Sequence, residues 1–335
     1  VVPPCPYFGP CSGCQWQHID YAYQLQLKRQ AIRRELDAYD ALRNLQVEET
    51  VPADELYGYR NHARFTVRRQ GTLGFVNRIT RRFVPIDECM LMNPWINETL
   101  RKLQGFSGET SQVSVRYGVN TGDWLIQPRL KSAEILMASG QSHYHEKVMD
   151  RDFRVASPSF FQVNTAQTER LVTLVRDRAE LSGTETLVDA YAGVGTFGVL
   201  LTPYVRRVIA IEESDAAVKD TMDNAHGLAN FEIRQGRVED VMRGMDDRPD
   251  VVILDPPRAG CQVEVLEALL GMDTVRVIYV SCDPYALARD LHILVTAGLK
   301  VERVEPVDMF PQTHHVECIV TLSSSPKLPK ESNYD

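Results

Sequence analysis

An apolar run from Val275 to Val280, interrupted only by Arg276, stops abruptly at Ser281-Cys282-Asp283-Pro284. Apolar on both faces and too short to cross a bilayer, such a run suits a strand covered on both sides, as in a parallel sheet. Asp-Pro is a turn signal, so the strand is expected to end where Cys282 stands. Open α/β sheets bind ligands just beyond the carboxyl ends of their strands. Cys282 is therefore either a thiol presented at a site or a buried structural cysteine, a common state for free Cys.

The same alternation of strand and polar turn fills the second half of the chain. Thr186 to Tyr191 reads as a strand that runs into Ala192-Gly193-Val194-Gly195-Thr196-Phe197-Gly198. A glycine-rich turn between strand and helix lets the backbone approach a ligand closely. Val208 to Glu212 is the next strand, and it ends in an acid suited to ribose hydroxyls. Asp250 to Leu254 leads into Asp255-Pro256-Pro257-Arg258, and a last strand lies near Cys318 to Leu322. Thr165 is expected to cap a helix reaching about Leu181. The pattern predicts a doubly wound α/β domain over residues 151–325. Gly193, Gly195 and Gly198 satisfy G-x-G-x-x-G, which alone also permits an NAD-dependent oxidoreductase. The rigid Asp-Pro-Pro loop, fit to stand beside a planar substrate, favours a nucleotide-modifying methyltransferase.

The first 150 residues follow another pattern. Tyr21 to about Tyr39 lacks Gly and Pro and reads as a helix, with Asp20 as its N-cap. From Val47 to about Leu136 short alternating runs and turn residues predict a β-rich antiparallel domain. Between Arg60 and Arg82 stand seven arginines and no acid, although the chain as a whole carries a net charge of −8. The overall charge excludes a wholly basic nucleic-acid binder. The local cluster is either a solvated face or a phosphate-binding surface. Cys5, Cys11 and Cys14 are spaced C-x5-C-x2-C, and Cys89 is the candidate fourth ligand. Three thiols in a Gly/Pro-rich loop suit an iron–sulfur cluster, with zinc on the same four cysteines as the alternative. Seven cysteines, an odd count, argue against a disulfide framework and for a cytoplasmic protein. No apolar run approaches a bilayer span. The polar tail at 326–335 is expected to be disordered.

Five motifs together resemble the RNA uracil-5 methyltransferases, which make 5-methyluridine. They are Ser159-Phe160-Phe161-Gln162-Val163-Asn164, Asp189 to Phe197, Leu254 to Gly260, Ser281-Cys282-Asp283-Pro284, and Asp308 to Glu317 with its Gln312-Thr313-His314-His315 centre. The cysteine loop is similar to that of the 23S ribosomal branch, whose members carry a 4Fe-4S cluster. The resemblance covers nearly the whole chain and implies a Rossmann-like, S-adenosylmethionine-dependent methyltransferase domain preceded by the β-rich domain with its iron–sulfur loop. It departs in two respects. The RNA-binding TRAM barrel of many 23S members is not among these residues, and Ala192 stands where the family usually has Cys.

Residue by residue, the resemblance makes Cys282 the nucleophile and Glu317 the general base. Gln162, Tyr191, Thr196, Glu212 and Asp255 fall at cofactor positions, with Arg237 near a further one. Cys5, Cys11, Cys14 and Cys89 fall at the cluster positions. It implies methylation of carbon 5 of a uridine in 23S ribosomal RNA by a monomer, with tRNA as the alternative substrate. A non-catalytic RNA-binding iron–sulfur protein is the reading from a different class. The arginines from Arg60 to Arg82 are the candidate RNA contacts. Phe160 and Phe161 are read as core aromatics, Cys261 and Cys318 as packing residues, Asp308 as a structural partner, and His314 and His315 as surface residues or RNA contacts.

Overall fold

The structure, a computed structural model, describes residues 1–272 and 274–324; the tail expected to be disordered lies outside the described residues. Helix α1 (Tyr21–Asp37) is capped by Asp20, whose carboxylate accepts from the Ala22 N–H. Five antiparallel strands follow: β1 (His62–Arg68), β2 (Thr72–Val76), β3 (Phe83–Pro85), β4 (Gln112–Tyr117) and β5 (Trp124–Gln127). They form a sheet of order β3-β2-β1-β4-β5. β1 at its centre buries Ala63, Phe65 and Val67 and turns Arg64 and Arg68 to solvent, the period-2 alternation of a half-covered sheet. The buried face is covered by helix α2 (Pro94–Leu103), which the sequence reading had left inside the β-rich stretch. Its signals were present: Asn93 as N-cap, proline at the first helical position, and Ile96, Leu100 and Leu103 on one face.

A hairpin of β6 (His143–Val148) and β7 (Arg151–Ala156) leads to helix α3 (Thr165–Ala179). The boundary expected at residue 150 falls in the turn of this hairpin. The α3 cap is Asn164, one residue earlier than expected, its side chain accepting from the Gln167 N–H.

The second half alternates as expected: β8 (Thr186–Ala190), α4 (Thr196–Leu201), β9 (Arg207–Glu212), α5 (Asp215–Asn224), β10 (Phe231–Gln235), α6 (Val238–Arg243), β11 (Val251–Leu254), α7 (Val263–Gly271), β12 (Arg276–Ser281) and α8 (Pro284–Thr296). Two long strands, β13 (Leu299–Val307) and β14 (Glu317–Ser324), complete a seven-stranded sheet of order β10-β9-β8-β11-β12-β14-β13. The first five are parallel, and β14 enters antiparallel between β12 and β13. This is a Rossmann-like sheet whose strand order reverses between β8 and β11, the position where such folds open a ligand crevice.

The first fifty residues pack on this sheet. Ile32, Leu36, Leu42 and Val47 join the core formed by Leu287, Leu291, Val304 and Leu322. Val47 and Val51 make parallel bridges to Val304 and Val307. Helix α1 thus joins α6, α7 and α8 on one face of the sheet, although it precedes the five-stranded sheet in the chain.

Candidate active site

The acids and the thiol singled out in the sequence converge at one end of the large sheet. Tyr191, Asp255 and Cys282 follow the carboxyl ends of β8, β11 and β12, and Glu212 closes β9. β14 runs the other way, so its first residue, Glu317, starts at that same end. Ser281 pairs with Cys318 across β12 and β14, and continuing this register by one step brings Cys282 opposite Glu317. Side chains so paired share a face with Cβ atoms ~4.5–5.5 Å apart.

The electrostatics follow from this crowding. Glu317 is 4% exposed, and its pKa is pushed well above the usual carboxylate range by burial and by Asp255, against the opposing charge of Arg258. Burial also raises the Asp255 pKa to about 7. The Cys282 thiol is pushed up to about 11 by burial, then by Glu317 and Asp255, while Arg258 pulls it down. Arg258, one residue beyond Pro257, is thus the cation facing both the thiol and the acid. Nothing in the local sequence Asp255-Pro256-Pro257-Arg258 marks it for that place.

The crevice beside this cluster is shaped by the glycine-rich turn. The Gly193 N–H donates to Glu212 Oε2 at 2.8 Å and the Ser214 N–H to Glu212 Oε1 at 2.8 Å. Each carboxylate oxygen keeps a lone pair for a further donor. Gly193 has φ +58°, and a Cβ built on it meets nothing within 4 Å, so the turn faces open space. Thr196 opens α4 directly after Gly195, and Tyr191 holds φ +65°. Below the turn lies Asp189, which the sequence reading quoted without a role. It is fully buried, accepts from the Gly198 N–H through Oδ2, and leaves Oδ1 without a partner among the described residues. Burial, Asp255 and Glu212 together raise its pKa to about 7. Gln162 lies on the loop between β7 and α3, where its carbonyl accepts from Asn61 Nδ2 at 3.1 Å. Arg237 sits at the start of α6 and pairs with Glu239.

The four remaining candidates stand elsewhere. Cys5, Cys11, Cys14 and Cys89 line one cavity of about 390 Å³, together with Arg60, Arg64 and Arg78. All seven cysteines of the chain are free. Burial raises the Cys11 thiol, carries Cys14 to about 12 and Cys89 to about 11, and the other cysteines of the loop push in the same direction. Among the described residues no group of three or more Cys, His, Asp or Glu is drawn together tightly enough to hold a single ion. The four cysteines border the same cavity.

The segment from Asp308 to Val316 connects this cavity to the strand-end cluster. Lys28 and Asp308 form a fully buried ion pair, and Lys28 Nζ also donates to the Phe310 carbonyl at 3.1 Å. Tyr59 Oη donates to the Pro311 carbonyl at 3.0 Å. Gln24 and Gln312 bond reciprocally, Gln24 Nε2 to Gln312 Oε1 at 3.0 Å and the Gln312 N–H to Gln24 Oε1 at 3.1 Å. Burial, His314 and Arg258 lower the His315 pKa to about 4, so the ring is neutral at pH 7.

Two aromatic side chains differ from expectation or were not weighed. Phe161 is buried in the core beside Phe153, but Phe160 is 69% exposed. Ser159 and Phe161 face inward, and the alternation turns the residue between them to solvent. Tyr285, in the first turn of α8 and three residues from Cys282, is 66% exposed. Cys261 and Cys318 are buried as expected.

Comparison with known proteins gives a consistent result. The family model described as tRNA (uracil-5-)-methyltransferase matches residues 126–248 and 237–325. An uncharacterized RNA methyltransferase of Gloeobacter violaceus is 33% identical over 97% of this chain and 83% of its own length. One from Halalkalibacterium halodurans is 32% identical over 96% and 83%. Among solved structures, the tRNA (uracil-54, C5)-methyltransferase of Pyrococcus abyssi, in complex with S-adenosyl-L-homocysteine, is 26% identical. It superposes with a TM-score of 0.77 over 93% of this chain and 86% of that one.

Proposed function

The chain belongs to the tRNA (uracil-5-)-methyltransferase family, and from that premise we propose that it methylates carbon 5 of a uridine in RNA through a transient bond to Cys282. The observation that carries this reading is the convergence of Cys282, Glu317, Asp255 and Arg258 at the carboxyl end of the parallel strands. A binding module needs neither a thiol nor a shielded acid there.

S-adenosylmethionine, when bound, supplies an electrophilic methyl group. The residues of the crevice fit it. Open space faces Gly193, Glu212 carries lone pairs for ribose hydroxyls, and Asp189 beneath the turn retains an unpartnered oxygen. Gln162, Tyr191, Thr196, Glu212 and Asp255 are the proposed holders. The complex of the Pyrococcus abyssi neighbour with S-adenosyl-L-homocysteine supports the choice of cofactor.

Carbon 5 of uracil is a weak nucleophile. The Cys282 thiolate adds to carbon 6, and the ring electrons shift so that carbon 5 becomes enolate-like and takes the methyl group. Glu317 then removes the carbon-5 proton, and the electron pair expels the Cys282 sulfur and restores the double bond. A carboxylate raised by burial is a stronger base than a solvated one. Arg258 favours the thiolate. The uracil reaches Cys282 only when turned out of its stack, and exposed Phe160 and Tyr285 are suited to stack on bases near the crevice.

We read the four-cysteine cavity as the seat of an iron–sulfur cluster. Three thiols on one short loop and a fourth from Cys89, lining one cavity, are the four-thiolate donor set such a cluster needs. Cys5, Cys11, Cys14 and Cys89 would hold it, and its iron would offset the charge of four thiolates. The cysteine loop favours 23S ribosomal RNA as substrate, and the solved neighbour favours tRNA. Free thiols and an RNA substrate suit the cytoplasm. No helix among the described residues is long and apolar enough to cross a membrane.

The test is covalent trapping. RNA carrying 5-fluorouridine should form an adduct that survives denaturing electrophoresis, because the base cannot remove fluorine. Cys282→Ala should form none. Glu317→Gln should accumulate the adduct on ordinary RNA, since elimination loses its base. Trapping by Cys282→Ala as efficient as by the parent chain overturns the mechanism. Methylation mapping on total RNA from cells lacking the gene identifies the uridine.

A further inference from the structure

The cysteine loop grips two other segments at once. On one side the Pro10 carbonyl accepts from Asn77 Nδ2 at 2.8 Å, and the Ser12 hydroxyl accepts from the Arg78 N–H at 2.8 Å. Residues Asn77 to Arg82 are the tip of the β2–β3 hairpin. That tip is wound around one side chain: Asn77 Oδ1 accepts from the Ile79 and Thr80 N–H groups at 2.9 and 2.8 Å. Arg78, Arg81 and Arg82 are exposed on it, and none forms an ion pair with a described carboxylate.

On the other side the Gln15 and Trp16 N–H groups both donate to the Gln312 carbonyl, at 3.2 and 3.1 Å. Gln15 Oε1 meets His314 Nδ1 at 3.1 Å. Gln312 and His314 belong to the segment that runs directly into Glu317. Arg78 is near enough to act on both His314 and His315, and Arg258 acts on the same pair. Both arginines therefore lie close enough to the two histidines to lower their pKa values, and His314 is tied to the cysteine loop through Gln15.

Resting on the RNA reading above, we propose that Arg78 holds a backbone phosphate of the strand that delivers the target uridine, and that Ser12 and Asn77 position it. An exposed guanidinium without a described carboxylate partner, carried on a backbone that hydrogen bonds hold in place, is free to make a bidentate contact with a phosphodiester. The other arginines of the cluster extend the track away from the crevice along β1, where Arg64 and Arg68 face solvent. The cysteine loop sets the distance between this phosphate grip and the Cys282–Glu317 pair.

The experiment measures binding of in-vitro transcripts of 23S ribosomal RNA and of a tRNA pool across a salt series, with RNA KM and kcat measured in parallel. Arg78→Ala should bind roughly fivefold to tenfold more weakly at low salt. Its plot of log affinity against log salt should be shallower by about one. KM should rise by a similar factor while kcat stays within about twofold and S-adenosylmethionine affinity is unchanged. Arg78→Lys, which keeps the charge, should recover most of the binding. Ser12→Ala keeps every arginine and should raise KM in the same direction, through lost positioning. Arg78→Ala with the parent's affinity, slope and KM overturns the proposal. A parent chain that neither binds nor methylates either RNA overturns the enzymatic reading, and the phosphate site with it.

Discussion

Cys282 is poorly prepared to act as a nucleophile alone. With its pKa pushed up to about 11, it is overwhelmingly a neutral thiol at pH 7. Burial, and after it two neighbouring acids, hold it there, and Arg258 opposes them. The reactive form is the deprotonated one, so adduct formation should quicken as pH rises. Arg258→Ala removes the one cation that lowers both Cys282 and Glu317, and both then need a higher pH to ionise. Adduct formation with 5-fluorouridine RNA at pH 7.5 should fall by about tenfold for each unit by which the thiol pKa rises. The lost rate should return at more alkaline pH, which a pH–rate profile reads directly. Cys282 and Glu317 were legible because each ends or begins an apolar run in a motif. Arg258 and Asp189 were not, because their importance lies in neighbours on other strands. Nor was the exposure of Phe160: Phe-Phe carries no sign of which ring turns outward.

At the scale of elements, strands announce themselves better than what they pack against. The runs ending at Tyr191, Glu212, Leu254 and Ser281 were readable because a parallel strand covered on both faces is nearly continuous in apolar residues. Helix α2 was missed because ten residues inside a β-rich stretch look like one more alternation, although Asn93-Pro94 marked its start. Helix α1 was found, but its partner was not, because nothing local says that Lys28 meets Asp308. That pair has no solvent access on either side. Lys28→Met leaves the Asp308 carboxylate buried without its cation and should destabilise the fold by about 3–5 kcal/mol. Urea unfolding of the two proteins measures this. The loss should be accompanied by slower release of the methylated product from Cys282, since the strap that precedes Glu317 is anchored there.

For the whole molecule, the β-rich half and the large sheet are joined at the cysteine loop, whose chemistry is therefore an architectural matter. Protein purified without oxygen should be coloured and should contain iron and acid-labile sulfide in equal amounts. Stripping the metal with a chelator and an oxidant should lower the thermal midpoint and weaken RNA binding more than cofactor binding, because the loop aims Arg78 and not the glycine-rich turn. Colourless protein loaded with zinc corrects the metal.

The docking of residues 1–51 on β13 and β14 also bears on how the chain is made. The ribosome produces Val47 and Val51 long before the strand that receives them. Val47 waits for Val304, and Gln15 waits for Gln312. A nascent or prematurely terminated product therefore exposes an unclasped amphipathic helix and three loose thiols. The Cys282–Glu317 pair cannot assemble before β14 has been made.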